Sequence, residues 1–147
     1  RASREEGAFS YKNARVIRDG SSVVGMIISY RLDEPYILGD LDEYPAVVQP
    51  LVELESKVPG SWYINAIATR ESHRGEGIAK KLLYEAESKA KDLGVATMSL
   101  IVASENILAK ELYIKLGYES VASRPVVNYP GAIHGGKWEL MVKRLFR

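Results

Sequence analysis

One short stretch of the chain has the residue types and spacing of a phosphate-binding turn. It contains two glycines separated by one residue and preceded by an arginine, and it reads Arg74, Gly75, Glu76, Gly77, Ile78, Ala79. Glycine lets the backbone approach an anion closely, and the first N–H groups of a following helix have no intrahelical partner. The helix dipole adds a partial positive charge and the arginine a full one. The stretch therefore predicts binding of a phosphate group, although an ordinary tight strand-to-helix connection also favours glycine.

The residues on either side of this turn predict the strand and the helix that position it. Residues 62–70 are rich in β-branched and aromatic side chains, which predicts a mostly buried strand. After the turn, apolar residues recur at every fourth position and predict one buried helical stripe, and Gly94 predicts the end of the helix. The stripe comprises Ile78, Leu82, Ala86 and Ala90, joined by Leu83 and Leu93, and the opposite face carries Lys81, Glu85 and Lys89.

Two better-known phosphate loops do not fit this turn. A P-loop ends in Gly-Lys followed by Ser or Thr, whereas here Gly77 is followed by Ile78 and Ala79. A dinucleotide fingerprint needs a third glycine where Lys80 stands and an acidic residue that ends the next strand, a role for which Glu105 is poorly placed. A nucleotide-binding domain of the dinucleotide type is therefore disfavoured, and that alternative predicts affinity for NAD.

Composition restricts the chemistry further. A formal net charge of +1 gives no general attraction to nucleic acid or anionic membranes, so any anion site must be local. The absence of cysteine excludes thiolate catalysis and cysteine zinc sites, and two histidines far apart argue against a metal site. No apolar run reaches membrane-spanning length and no signal peptide is visible, so we expect a cytoplasmic location. A length of 147 residues predicts one domain, over residues 1–147.

The turn and a second motif downstream together carry a family resemblance. Arg74, Gly77 and Ala79 fit the pattern Arg-x-x-Gly-x-Ala, and residues 96–103 predict the next strand. Asn106 follows that strand, Tyr113 lies seven residues further on, and Leu-Gly-Tyr occupies positions 116–118. Both halves, in this order and at this spacing, resemble the cofactor site of the GCN5-related N-acetyltransferase (GNAT) superfamily. The resemblance is specific over residues 62–118, compatible over residues 13–30 and loose elsewhere.

The resemblance implies a fold, and it also implies that most of the family's usual N-terminal strand and helices are not in this sequence. The fold is α/β (α+β), a mixed and mostly antiparallel central sheet flanked by helices, in which a splayed strand pair forms the coenzyme A cleft. Residues 13–18 and 22–30 predict a hairpin around Asp19 and Gly20, which matches the family's second and third strands. Family members usually open with a strand and two helices before this hairpin, so residues 1–9 are expected to be only the tail of such a helix.

The same resemblance implies a set of cofactor contacts for acetyl-CoA as co-substrate, with no metal. The backbone of the turn would hold the pyrophosphate, and the strand edge at residues 67–69 would pair with the pantetheine arm like an added strand. An N–H group on that edge, most naturally that of Ile67, would polarise the acetyl carbonyl. The implied contact residues are Ile67, Ala68, Thr69, Arg74, Gly75, Glu76, Gly77, Ile78, Ala79, Asn106 and Tyr113.

Two side chains are implied to take part in catalysis, Tyr113 and Asn65. A phenol stays protonated at neutral pH, so Tyr113 can donate a proton to the departing thiolate, although packing on an amphipathic helix would also explain a tyrosine there. Many family members place a glutamate where Asn65 stands. An asparagine cannot accept a proton but can orient a water molecule or the amine. The base therefore stays open, and the candidates are Glu139, Glu71, His134 and Tyr63.

The implied activity is N-acetyl transfer from acetyl-CoA to a primary amine by direct attack in a ternary complex. The acceptor is expected to be a small molecule rather than a protein amine, with no nucleic acid or membrane partner and with a homodimer left open. The rival interpretation is a non-catalytic acyl-CoA-binding or sensor domain of the same fold. A loop-and-helix region at residues 31–58 lies where the family builds its acceptor pocket. Its acidic residues either attract a cationic amine or are merely solvated, and they are Asp33, Glu34, Asp40, Asp42 and Glu43.

Overall fold

The computed structural model describes residues 11–128 and 135–146 of the chain. In these ranges the chain forms six strands and three α-helices, and the four strands predicted from the sequence agree with β1 to β4 to within one residue at each end. The strands are β1 (Ala14–Asp19), β2 (Ser22–Arg31), β3 (Trp62–Thr69), β4 (Thr97–Ala103), β5 (Glu119–Pro125) and β6 (Lys137–Arg144), and the helices are α1 (Gln49–Glu55), α2 (Ile78–Asp92) and α3 (Ile107–Lys115). Short 3-10 turns lie at Tyr11–Asn13, Leu41–Glu43 and Glu71–His73.

The described strands form one mixed sheet in the order β1-β2-β3-β4-β6-β5. All neighbouring pairs are antiparallel except β3 and β4, which run parallel and are joined by α2. This architecture confirms the predicted fold class. The predicted helical tail at residues 1–9 lies outside the described residues.

The parallel pair separates part of the way along its length. Paired positions run only from Trp62 opposite Met98 to Ile64 opposite Leu100. Beyond Ile64, β3 continues for five residues and keeps its pairing with β2 on the other side, while β4 continues to Ala103 and pairs with β6. An open cleft therefore lies between the carboxyl ends of the two strands, as the family resemblance predicted.

Helices cover both faces of the sheet. On one face, α2 and α3 bury a continuous apolar core that includes Leu82, Leu83, Met98, Tyr113 and Met141. Adjacent residues of a strand point to opposite faces, so the buried Leu140 lies on the other face, which α1 covers by packing on β5 and β6. Both faces of the sheet are therefore covered, and Met141 is as buried as Leu140.

Gly25 explains how closely α2 approaches β2. A Cβ atom at this position would collide with the Cγ2 atom of Ile78, the first residue of α2. The register between β1 and β2 also shifts beside Gly25, which leaves Val24 as an extra residue in β2. A glycine inside an apolar strand often marks a bulge or a close approach of another element, and Gly25 is associated with both. The contact seats the first turn of α2 against the sheet.

Two details of α2 differ from the sequence pattern. Leu93 is 60% exposed rather than part of the stripe, because the helix ends at Asp92 and Gly94 turns the chain with a φ of 74°. Glu85 pairs with Arg15 of β1 at 2.9 Å, not with the lysines one turn away. The pairing across elements attaches the edge strand β1 to the helix.

Candidate active site

The glycine turn lies between the end of β3 and the start of α2, as the sequence predicts. The chain passes through the 3-10 turn Glu71–His73, becomes extended at Arg74, and reaches α2 through Gly75 and Gly77. Both glycines have left-handed backbone angles, with φ values of 82° and 79°. L residues rarely adopt these angles, so the conformation itself requires glycine at both positions.

The turn leaves the start of α2 open to a ligand. No side chain caps the helix at Gly77, and the first helical bond joins the N–H of Lys81 to the carbonyl of Gly77 at 3.0 Å. The preceding helical N–H groups, those of residues 78–80, therefore lack helical acceptors. A Cβ atom at Gly75 or Gly77 would meet nothing within 4 Å, and among the described residues Arg74 forms no ion pair. This geometry suits a phosphate group.

The unpaired edge of β3 presents backbone donors to the cleft. The N–H of Arg70 donates to the carbonyl of Val24 at 2.7 Å, which fixes its direction toward β2. N–H groups alternate in direction along a strand, so those of Ile67 and Thr69 point the opposite way, toward β4. The N–H that the resemblance assigns to the acetyl carbonyl therefore faces the cleft.

A cavity of about 360 Å³ occupies the cleft and brings several predicted site residues together. Asn65, Ile67, Asn106 and Tyr113 all line it, although they come from one strand, one helix and the residue that precedes that helix. Ala68, Thr69 and the six turn residues do not line this cavity; Gly77 instead lines a groove along the outer face of α2. The glycine turn and the cleft cavity are therefore lined by different residues.

Asn65 occupies a bulge at the start of the cleft. Ile28 of β2 lies opposite Ala66 and Ser29 lies opposite Ile64, so Asn65 has no partner residue across the ladder. Its side-chain Nδ2 donates to the hydroxyl of Tyr30 at 3.2 Å, and the Tyr30 ring packs edge-on against Tyr63. The bulge re-aims the Asn65 side chain, and the bond to Tyr30 leaves its Oδ1 atom as an acceptor.

Tyr113 is both a core residue and a cavity residue. It is 7% exposed, it packs edge-on against Tyr118, and burial raises its pKa above the ordinary value of a phenol. None of the described residues hydrogen-bonds to its hydroxyl, whereas the hydroxyl of Tyr118 donates to the buried Glu87 at 2.9 Å. The Tyr113 ring is thus explained by packing, but its hydroxyl is not used by the fold.

Asn106 caps α3. Its Oδ1 accepts a hydrogen bond from the N–H of Ala109 at 3.4 Å, which is the usual role of an asparagine that precedes a helix. The side chain is exposed and lines the cavity, so its amide N–H₂ group can still donate to a ligand. The cap and the predicted cofactor contact use different atoms of one side chain.

The four candidate bases differ in their position relative to the cleft and in their surroundings. Glu139 accepts from Lys110 at 2.8 Å and from Ser120 at 3.0 Å, and the Lys110 hydrogen bond holds the pKa of its carboxyl below the usual range. A carboxylate stabilised in this way is a weak base. Glu71 lies in the exposed 3-10 turn and does not line the cleft. Tyr63 is buried beneath the Tyr30 ring, and His134 lies outside the described residues.

Two aromatic residues at the site were not among the sequence-based candidates. Trp138 lines the cleft from β6, and its buried indole N–H has no hydrogen-bond partner among the described residues. Tyr30 holds the side chain of Asn65 from β2. Neither residue lies within the recognised motifs, and only the pairing of strands brings the two side chains to the cleft. Within residues 11–128 and 135–146, no helix is long and apolar enough to span a membrane.

Comparison with known proteins supports the family resemblance. The model of the Acetyltransferase (GNAT) family matches residues 3–118. GCN5-related N-acetyltransferase 4, chloroplastic, of Arabidopsis thaliana is 35% identical over 68 residues, and this segment is 46% of the present chain but only 23% of that protein.

Solved structures share the fold at low sequence identity. The polyamine N-acetyltransferase of Drosophila melanogaster, an enzyme that forms N-acetylagmatine, superimposes with a TM-score of 0.75 at 16% identity, over 94% of this chain and 77% of that one. The NatC complex bound to Gag peptide and CoA gives a TM-score of 0.62 at 20% identity, over 90% and 71% of the two chains. The family model spans most of the chain, including both halves of the cofactor motif and the splayed strands, and on this ground the chain belongs to the acetyltransferase (GNAT) family.

Proposed function

We propose that this chain is an acetyl-CoA-dependent N-acetyltransferase that acts on a primary amine by direct attack in a ternary complex. The observation that carries the proposal is the cleft beyond Ile64 and Leu100. There an unpaired strand edge, an unused tyrosine hydroxyl and an asparagine on a bulge surround one cavity near an open helix start. Such an arrangement suits acyl transfer, in which one end of a thioester substrate is anchored and the other is exposed to attack.

The residues divide the reaction among them. The N–H groups at the start of α2 and the Arg74 guanidinium bind the pyrophosphate, and the Ile67 N–H donates to the thioester carbonyl oxygen. The amine nitrogen attacks the acetyl carbon, so that a C–N bond forms and the C–S bond breaks. Tyr113 gives its hydroxyl proton to the departing thiolate sulfur and then regains a proton from solvent, while the attacking nitrogen releases its extra proton to water.

Asn65 positions the acceptor in this scheme. Its Nδ2 is engaged with Tyr30, so its Oδ1 accepts a hydrogen bond from the attacking amine. The acceptor is a small molecule in our proposal, because the cavity that side chains of β3, β4, β6 and α3 line has a volume of only about 360 Å³. A cytoplasmic location and a homodimer stay predictions from the sequence, and the Arabidopsis relative carries the word chloroplastic in its name.

One observation favours a second candidate, a non-catalytic acyl-CoA-binding domain. No carboxylate among the described residues lines the cleft. Glu139, which follows the cleft residue Trp138 in the chain, accepts a hydrogen bond from Lys110 that stabilises its ionised form and makes it a weak base. The two candidates differ in one measurable respect. Both predict saturable binding of acetyl-CoA, but only the enzyme predicts amine-dependent release of free CoA.

Calorimetric titration with acetyl-CoA, with NAD as the control ligand, tests the proposal first. Gly77→Glu and Gly77→Gln form a matched pair, because each pays the same cost of a left-handed angle, about 1–2 kcal/mol, and neither meets a neighbour within 4 Å at Cβ. We expect acetyl-CoA to bind, NAD not to bind, and the glutamate variant to bind at least about tenfold more weakly than the glutamine variant. Equal affinities for the two variants would exclude phosphate binding at this turn.

A further inference from the structure

The segment that leads into the glycine turn is attached to the end of the hairpin formed by β1 and β2. The backbone N–H of Arg70 donates to the carbonyl of Val24 at 2.7 Å, and the Nε of Arg70 donates to the carbonyl of Val23 at 3.1 Å. Three residues further on, the Nε2 of His73 lies 3.0 Å from the Oδ2 of Asp19, the last residue of β1. The connection that follows β3 therefore has three contacts with one neighbouring hairpin.

The glycine turn itself lies between two points of contact with this hairpin. Before the turn is the contact of His73 with Asp19. After the turn, Ile78 approaches Gly25 of β2 so closely that a Cβ atom there would collide with it. Among the described residues, the hydrogen bonds of residues 74–77 are only local ones. The support of the turn by other elements is therefore concentrated at its two ends.

Both ring nitrogens of His73 have a partner. Nδ1 lies 2.8 Å from the Oγ of Ser72, and Nε2 faces the carboxylate of Asp19. An ionised carboxylate can only accept a hydrogen bond, so Nε2 carries the proton, and the Ser72 hydroxyl can either donate to Nδ1 or accept from it. The ring is therefore held in one orientation whether it is neutral or protonated. The His73 side chain is 22% exposed and that of Asp19 is 71% exposed, which makes this a contact at the surface.

We propose that His73 and Asp19 are positioning residues for acetyl-CoA, because their contact holds the glycine turn in the conformation that receives the pyrophosphate. This inference rests on the proposed function, since it concerns the co-substrate of that reaction. Gly75 and Gly77 give the backbone of the turn more conformational freedom than other residues would. A turn that is already ordered loses less of that freedom when the ligand binds, so its affinity for the ligand is higher.

Simple electrostatics predicts the opposite effect of Asp19. A carboxylate near an anion site repels the anion, so its removal by itself should strengthen the binding of CoA. Loss of a positioning contact should weaken that binding. The sign of the change in Asp19→Ala therefore distinguishes a positioning residue from an ordinary surface charge.

Calorimetric titration of the full chain with CoA measures these changes without requiring turnover. Exposed pairs of this kind are weak, so we expect Asp19→Ala and His73→Ala each to bind CoA about threefold more weakly than the wild type. The double variant should bind no more weakly than either single variant, because one contact can be lost only once. Asp19→Asn keeps an oxygen that accepts from His73 and should bind at least as tightly as the wild type.

Asp92→Ala is the matched control for the loss of a carboxylate. Asp92 is the last residue of α2, roughly 20 Å from the first at 1.5 Å per residue, and its replacement should leave the affinity for CoA unchanged. Amide hydrogen exchange of the CoA-free chain then reports on the turn directly. Exchange should quicken in the two alanine variants at the hydrogen-bonded N–H groups of positions 73, 74 and 81 and stay unchanged in β3 and β4.

The outcomes separate this inference from the proposed function. Unchanged or tighter binding of CoA by Asp19→Ala, additive losses in the double variant, or unchanged exchange at the turn would overturn the positioning role. Faster exchange throughout β3 and β4 would also overturn it, because the contact would then stabilise the whole fold rather than the turn. If the wild-type chain does not bind CoA and exchange quickens only at the turn of the variants, the proposed function is refuted and the contact remains a support of the turn.

Discussion

Replacing Tyr113 by phenylalanine separates its two possible roles. The substitution removes one hydroxyl group and keeps the ring that packs in the core and against Tyr118. If the hydroxyl is the proton donor to the departing thiolate, turnover should fall while folding is preserved. If the residue only packs, neither property should change much.

The structure sets the size of each effect. No described residue bonds to the Tyr113 hydroxyl, so its loss should change the free energy of unfolding by less than about 1 kcal/mol. Loss of a general acid should lower kcat by about a hundredfold, which corresponds to about 2.7 kcal/mol of activation free energy. Burial raises the pKa of Tyr113 above the ordinary value of a phenol, so the wild-type acid stays protonated at neutral pH, and any loss of activity caused by its ionisation should occur at higher pH than for an exposed tyrosine.

Tyr118→Phe is the matched control. This hydroxyl donates to Glu87, which is 5% exposed and also accepts from Lys143 at 3.0 Å. Loss of a hydrogen bond to a buried charge should cost about 2 kcal/mol, or roughly 4–8 °C in Tm, with little change in kcat. Acetyl-CoA-dependent release of CoA, followed with a thiol reagent, and thermal unfolding would be measured on both variants.

The two variants should therefore show opposite patterns. A Tyr113→Phe protein with wild-type kcat would remove Tyr113 from the mechanism. A large fall in its Tm would instead mean that the hydroxyl stabilises the fold, contrary to the geometry. Equal loss of kcat in both variants would indicate that the tyrosine pair acts as a unit rather than through one proton donor.

Three further substitutions test the remaining parts of the site. Asn65→Ala should raise KM for the amine by about tenfold without changing the calorimetric affinity for acetyl-CoA. A change in the affinity for acetyl-CoA with an unchanged KM for the amine would contradict the role proposed for the Asn65 Oδ1 atom. Glu139→Gln should destabilise the fold by about 1 kcal/mol at pH 7 in urea unfolding, because the bond to Lys110 lowers its pKa; the difference should vanish as pH falls through that lowered value, and a constant difference would argue against linkage. Gly25→Ala should cost about 1–3 kcal/mol by collision with Ile78, and the double variant with Ile78→Ala should recover most of this loss in unfolding experiments; no recovery would mean that the collision is not the cause.

The conformation of the glycine turn could be predicted from the sequence because its determinants are local. Gly75 and Gly77 adopt left-handed angles that favour glycine, Arg74 precedes them, and α2 begins directly after them. All the residues that define the turn are therefore neighbours in the sequence. The predicted cofactor cleft followed from the family resemblance rather than from any local rule. Splaying of β3 from β4 depends on where a register between distant strands ends.

Features that depend on distant partners could not be predicted. The bulge at Asn65 exists because β2 and β3 pair out of step, and the bond to Tyr30 follows from that pairing. Glu87 has the spacing of a buried helix position, but its partners Tyr118 and Lys143 lie on later elements of the chain. Trp138 lines the cleft only because β6 pairs with β4, which is distant in sequence.

The short register between β3 and β4 has a mechanical consequence. It divides the sheet into two antiparallel halves of three strands, joined by three residue pairs and by the helices that pack across them. A pantetheine arm lying along the free edge of β3 would act as a seventh strand segment at this junction. Ligand binding would then brace the two halves against each other, and amide hydrogen exchange should slow in β3 and β4 together, well beyond the residues that touch the ligand.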